Sequence, residues 1–120
     1  MSDVEPIQFR PRRYAGEPLA AGATVSFQRK ELRAIFNLYG RKVAAGEWRD
    51  YAIDFERDRA VFSVFRRASE VPLYRIVKQP RLARKQGAYS IVAPTGLIVR
   101  RGNELGPVLG ALDVGALATI

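Results

Sequence analysis

Four cations, Lys78, Arg81, Arg84 and Lys85, fall within eight residues, and the stretch is flanked by Tyr74 and Tyr89. Guanidinium groups grip phosphate oxygens in pairs and stack on bases, an ammonium adds point charge, and tyrosine rings offer faces to unpaired bases. These residue types point to phosphate recognition, and with the aromatics to single-stranded nucleic acid. Two arginine pairs, Arg66–Arg67 and Arg100–Arg101, each close an apolar run, and Arg75 follows Tyr74. Joined on one surface, these residues make an anion-binding set of Arg66, Arg67, Tyr74, Arg75, Lys78, Arg81, Arg84, Lys85, Tyr89, Arg100 and Arg101. The competing reading is a solvated loop, strand-end arginines that keep a sheet edge soluble, and tyrosine rings that belong to the core.

Charge is concentrated in the same region. Residues 57–102 carry eleven Lys/Arg against Asp58 and Glu70, a net +9 that exceeds the +8 of the whole chain. So local an imbalance sets up a positive field over part of the surface and draws polyanions to it.

Other chemistry is constrained by what is missing. With no Cys there is neither disulfide nor thiol chemistry, and with no His no imidazole base. Ser-His-Asp and Cys-His arrangements are excluded, and the usual zinc ligands are absent. No glycine-rich phosphate loop of the GxxxxGK[ST] or GxGxxG type occurs. Asp54, Glu56 and Asp58 recur at spacing two, which would suit a hard cation or an acid–base pair. Arg57, Arg59 and Arg66 lie close by in sequence, so ion pairing is the expected fate of these carboxylates. Neither metal nor cofactor is expected.

The elements that must position these residues follow from periodicity. Leu32, Ile35, Phe36, Tyr39 and Val43 form one apolar stripe and predict an amphipathic helix over Ser26–Ala45. Ser26 is the expected N-cap, and Gly46 sits where a left-handed residue ends a helix. From Trp48 the period changes to two. Strands are expected over 51–56, 60–65, 73–77, 88–93 and 97–100, with the basic loop over 79–87. Short links make the strands an antiparallel meander. A short helix capped by Asn103 is expected to run to about Leu112, with Pro107 in its first turn. The fold class is therefore α+β: one amphipathic helix, a four- to five-stranded antiparallel meander and a short C-terminal helix.

Residues 1–23, with Pro6, Pro11, Pro18 and the run Arg10–Arg13, read as a flexible arm, residues 24–113 as one globular domain, and 114–120 as a tail. The predicted core is Leu32, Ile35, Phe36, Tyr39, Ile53, Phe55, Phe62, Val64, Ile76 and Ile91, with Trp48 plugging one end. The second strand is apolar on both faces, and its outer face needs a cover: the final helix, curling of the sheet or a partner chain. No apolar run reaches the ~20 residues of a membrane span, and the acidic start lacks the form of a secretory signal. A cytoplasmic protein with no membrane role is expected.

Three stretches carry a resemblance: Tyr39–Asp54 (YGRKVAAGEWRDYAID), Arg57–Arg75 (RDRAVFSVFRRASEVPLYR) and Lys85–Tyr89 (KQGAY). They resemble a family of short alphaproteobacterial proteins known as domain of unknown function 2794, over about residues 25–112. The resemblance implies a bacterial cytoplasmic setting and brings no catalytic residue, cofactor or partner. The expected function is a non-enzymatic binding module for RNA, single-stranded DNA or another polyanion. Two alternatives stand beside it: a protein-interaction domain, and a His-free, metal-independent ribonuclease.

Overall fold

The helical stripe becomes α1 (Arg29–Ala44) in the computed structural model, which describes residues 24–67 and 71–118. The arm expected over 1–23 lies outside the described residues. Gln28, two residues beyond the expected Ser26, precedes the helix, and its N–H donates to Glu31 Oε1 at 2.6 Å. At the other end Gly46 takes φ 78°. Glu47 N–H then reaches the Lys42 carbonyl and Gly46 N–H the Val43 carbonyl, both at 2.9 Å. The paired bonds satisfy carbonyls that a helix end leaves orphaned.

The inward line of α1 is Glu31, Ile35, Leu38 and Lys42, rotated from the predicted stripe. Leu32, Phe36 and Tyr39 are half-buried against the core, and Val43 is exposed. Charged types mark a surface in sequence patterns, but both buried charges here have counter-ions. Lys42 Nζ meets Glu47 Oε1 at 3.2 Å, and Glu31 meets Lys78.

Five strands follow: β1 (Asp50–Phe55), β2 (Ala60–Phe65), β3 (Tyr74–Lys78), β4 (Tyr89–Val92) and β5 (Ile98–Gly102). They lie side by side in sequence order, all antiparallel. Phe62 pairs with Ile53 and Ile76, and Ile76 pairs with Ile91, so these side chains share one face. On that face Phe62, Val64, Ile76 and Ile91 are fully buried with Ile35 and Leu38. Trp48 joins this core at 5% exposure, as an end plug would. Phe55 does not: it is 47% exposed on the outermost strand, edge-on to Phe27. Edge position, invisible to alternation, explains the difference.

The last helix, α2 (Leu105–Ala118), runs beyond Leu112 into the segment read as a tail. Leu105, Val108, Leu109 and Leu112 enter the same core, so both helices cover one sheet face. Arg41 Nη2 ties them through Asp113 Oδ2 at 2.8 Å. α2 therefore does not cover the outer face of β2, where Val61 and Ser63 are nonetheless buried. No helix among the described residues is long and apolar enough to cross a membrane.

Phe62→Ala should cost roughly 3–5 kcal/mol, as expected when a fully buried ring is removed. Phe55→Ala should cost about 1 kcal/mol or less, since most of its contact area is already exposed. Urea denaturation of the two variants checks the assignment, and equal losses would refute it.

Candidate nucleic-acid interface

A meander sends alternate turns to the same end of the sheet. One terminal rung runs Phe55, Ala60, Lys78, Tyr89, Gly102 across all five strands. Just beyond it stand the β1–β2 turn and the β3–β4 loop, with the end of β5. These bring Arg57, Arg59, Arg81, Arg84, Lys85 and Arg101 to one basic pole, with Glu56, Asp58 and, just past β5, Glu104 as its acids. Glu56 is already paired with Arg59 at 3.2 Å, the fate expected for this carboxylate. Asp54 has interactions of its own.

The loop is held in one shape by its backbone. A 3-10 turn (Pro80–Leu82) opens it, and Gln79 N–H closes its neck on the Ala88 carbonyl at 2.6 Å. The Leu82 carbonyl accepts from the amides of Lys85, Gln86 and Gly87 at 3.0, 2.9 and 2.8 Å. Asn103, expected to cap a helix, instead clamps this loop. Its Oδ1 accepts from Ala88 N–H at 2.8 Å and its Nδ2 donates to the Ala83 carbonyl at 2.7 Å. Gly87 has φ 106°, and a Cβ there would lie 2.9 Å from the Gly102 backbone. With the backbone so fixed, Arg81, Arg84 and Lys85 stand exposed on a pre-shaped support. Arg101 Nη1 is steered onto the loop by Gln86 Oε1 at 2.6 Å.

A recess of about 190 Å³ lies between the two turns, lined by Asp58, Gln79, Arg81, Leu82 and Lys85. Beneath the pole, Lys78 and Tyr89 face inward. Lys78 Nζ donates to Glu31 Oε1 at 2.8 Å and to the Ser26 carbonyl at 2.9 Å, and the Tyr89 hydroxyl donates to Glu31 Oε2. Burial opposes the Glu31 charge, but the hydrogen bonds from Lys78, Tyr89 and Gln28 outweigh it and hold the carboxyl below its usual range. Burial and the adjoining Glu31 carboxylate push Tyr89 up to about 12.

The candidate residues therefore divide. Arg81, Arg84, Lys85 and Arg101 meet at the pole, with exposed Arg100 one rung inward on the edge strand. Lys78 and Tyr89 adjoin it but are engaged by Glu31. Tyr74 is half-buried against the core, in the rung of Tyr51 and Val64, on the order of 13 Å along β3 from Lys78. Arg66 and Arg67 follow Phe65 at that same far end, and Arg67 has interactions of its own there. Arg75 is exposed on the sheet face away from the helices. Arg57, Arg59 and Gln79 were outside the predicted set. The parity of turns in a meander is the signal that places the first two.

The chain belongs to the family described as Protein of unknown function (DUF2794), whose model matches residues 25–109. No curated protein and no solved structure matches the chain.

Two outcomes test this geometry. Glu31→Gln leaves the Lys78 ammonium, 12% exposed, without its counter-ion; breaking such a pair should cost about 3 kcal/mol in a denaturant titration. Tyr89 keeps its proton in the folded state up to about 12, while an unfolded tyrosine loses it near 10. Stability from this group is thus full below about 10 and falls as pH rises toward 12. A Tyr89→Phe variant should lack that part of the decline in melts across this window.

Proposed function

We propose that this protein is a non-enzymatic binding module for single-stranded nucleic acid, working through its basic pole. The observation that carries the reading is the clamped loop. Arginine and lysine side chains on a mobile segment lose entropy when they close on a ligand, whereas a backbone fixed by Leu82, Asn103 and Gly87 has already lost it. Six cations around two adjacent turns also exceed what solubility asks of a strand end. A strand of nucleic acid offers phosphates at regular spacing to such a surface, and its affinity would come mainly from released counter-ions. Because Lys78 and Tyr89 are engaged internally, Arg57, Arg59, Arg81, Arg84, Lys85 and Arg101 are the residues of contact.

A second reading, a protein-interaction domain, draws on a different feature. β5 is an outer strand, and Leu97 just before it and Ile98 and Val99 along it are 66, 40 and 43% exposed. An open strand edge with apolar side chains accepts an added strand.

Fluorescence anisotropy with a labelled single-stranded oligonucleotide separates the two. Binding should appear at low salt, and six neutralised phosphates give a log K against log[salt] slope of about −4. Replacing Arg81, Arg84 and Lys85 together by Gln should weaken binding far more than replacing Arg66 and Arg67, or than deleting residues 1–23. Absence of binding at low salt, or binding indifferent to salt, refutes the nucleic-acid reading and leaves the strand edge as the working surface.

A further inference from the structure

We infer that the recess between the two turns is a ribose-reading subsite, in which Asp58 accepts a hydrogen bond from a 2′-hydroxyl and makes the module selective for RNA. The inference rests on the nucleic-acid reading above and narrows it to one sugar. Its starting point is an acid in the wrong place for a site built for phosphate alone. Asp58 shares the recess with Arg81 and Lys85, where a carboxylate weakens the field that phosphate would feel. Among the described residues no cation closes on it: Glu56 takes Arg59, Glu31 takes Lys78, and Asp58 makes no ion pair or hydrogen bond. Its oxygens are thus left as free acceptors beside two free donors.

The other lining groups complete a nucleotide's complement. An ionised carboxylate is an acceptor only, so it discriminates for a hydroxyl donor and against a second anion. Arg81 and Lys85 supply charge for the adjoining phosphate. Leu82 gives an apolar wall for the sugar edge, and the Gln79 amide offers a donor and an acceptor. The recess, at about 190 Å³, is smaller than the roughly 300 Å³ where pockets for whole small molecules begin. Its size suits a sugar–phosphate unit of a longer strand. Inorganic polyphosphate would bring only further negative charge toward Asp58. DNA would place a bare C2′ methylene against it, leaving the carboxylate partly desolvated with nothing to bind. The 2′-hydroxyl is the group by which a protein distinguishes RNA from DNA at a single site.

The test compares labelled oligouridine RNA with oligodeoxyuridine DNA of equal length, in anisotropy at one low salt concentration, so that the strands differ only at the 2′ position and in sugar pucker. Wild-type protein should prefer RNA about tenfold, the worth of one charge-assisted hydrogen bond. Asp58→Ala should abolish the preference from both sides, loosening RNA and tightening DNA, while Asp58→Asn should retain part of it. Equal affinity of wild type for the two strands overturns the inference and leaves the nucleic-acid reading standing. So does a preference that survives unchanged in Asp58→Ala. Failure of both strands to bind overturns the reading and the inference together.

Discussion

Glu31 carries a negative charge into the layer between helix and sheet, and the arrangement around the basic pole follows from compensating it. An isolated carboxylate there would cost several kcal/mol in lost hydration. Three donors meet that demand, one from each direction: Gln28 N–H from the start of α1, the Lys78 ammonium from β3 and the Tyr89 hydroxyl from β4. Fixing one end of α1 to β3 and β4 also fixes the two strands from which the basic loop springs. The helix, the core beneath it and the roots of the loop are thus set by one side chain 7% exposed to solvent. The same interaction removes Lys78 from the surface, so the outward field of the pole comes from residues beyond the ends of the strands.

The loop is the complement of this buried network. Where Glu31 uses charged partners, the loop uses neutral backbone and amide groups: the Leu82 carbonyl and the side chain of Asn103. Its cations are therefore not consumed in holding their own support. Gly87 lets the loop backbone lie against the end of β5, at Gly102, at a distance no side chain on residue 87 would allow. Shape and charge are supplied by different atoms, and the charged ones are left for a ligand.

Much of this was legible in the residues. Alternation located all five strands to within about two residues, and Gly46 marked the end of α1, because both signals are local. What escaped was non-local. Glu31 and Lys42 fell outside the predicted apolar stripe, yet both are buried, and the counter-ion of Glu31, Lys78, is one that only the fold brings near. Phe55 read as core, but it stands at the end of an outer strand, where Phe27 meets it edge-on and leaves it 47% exposed. Asn103 has the chemistry of a helix cap and uses it on a loop fifteen and twenty residues away. The pole itself was half visible. Density of charge pointed to the loop, and the order of the strands carried the rest. Turns one and three of a meander share an end, which separates Arg66, Arg67 and Tyr74 from the loop and adds Arg57 and Arg59 to it.

Among the described residues no strand pairs with the outer side of β5, which bears on how the protein keeps to itself at high concentration. An open edge bearing the exposed run Leu97–Val99 is a template on which other chains can add strands and grow aggregates. Two features work against that growth. Arg100 and Arg101 end the run with like charges that an incoming identical edge would have to approach. The register shift at Ile91/Val92 breaks the regular ladder just inside the edge, and such irregularities twist a strand away from flat stacking. The arginines of this strand thus act as gatekeepers, and exchanging them for neutral residues would trade a measure of colloidal stability for lost charge.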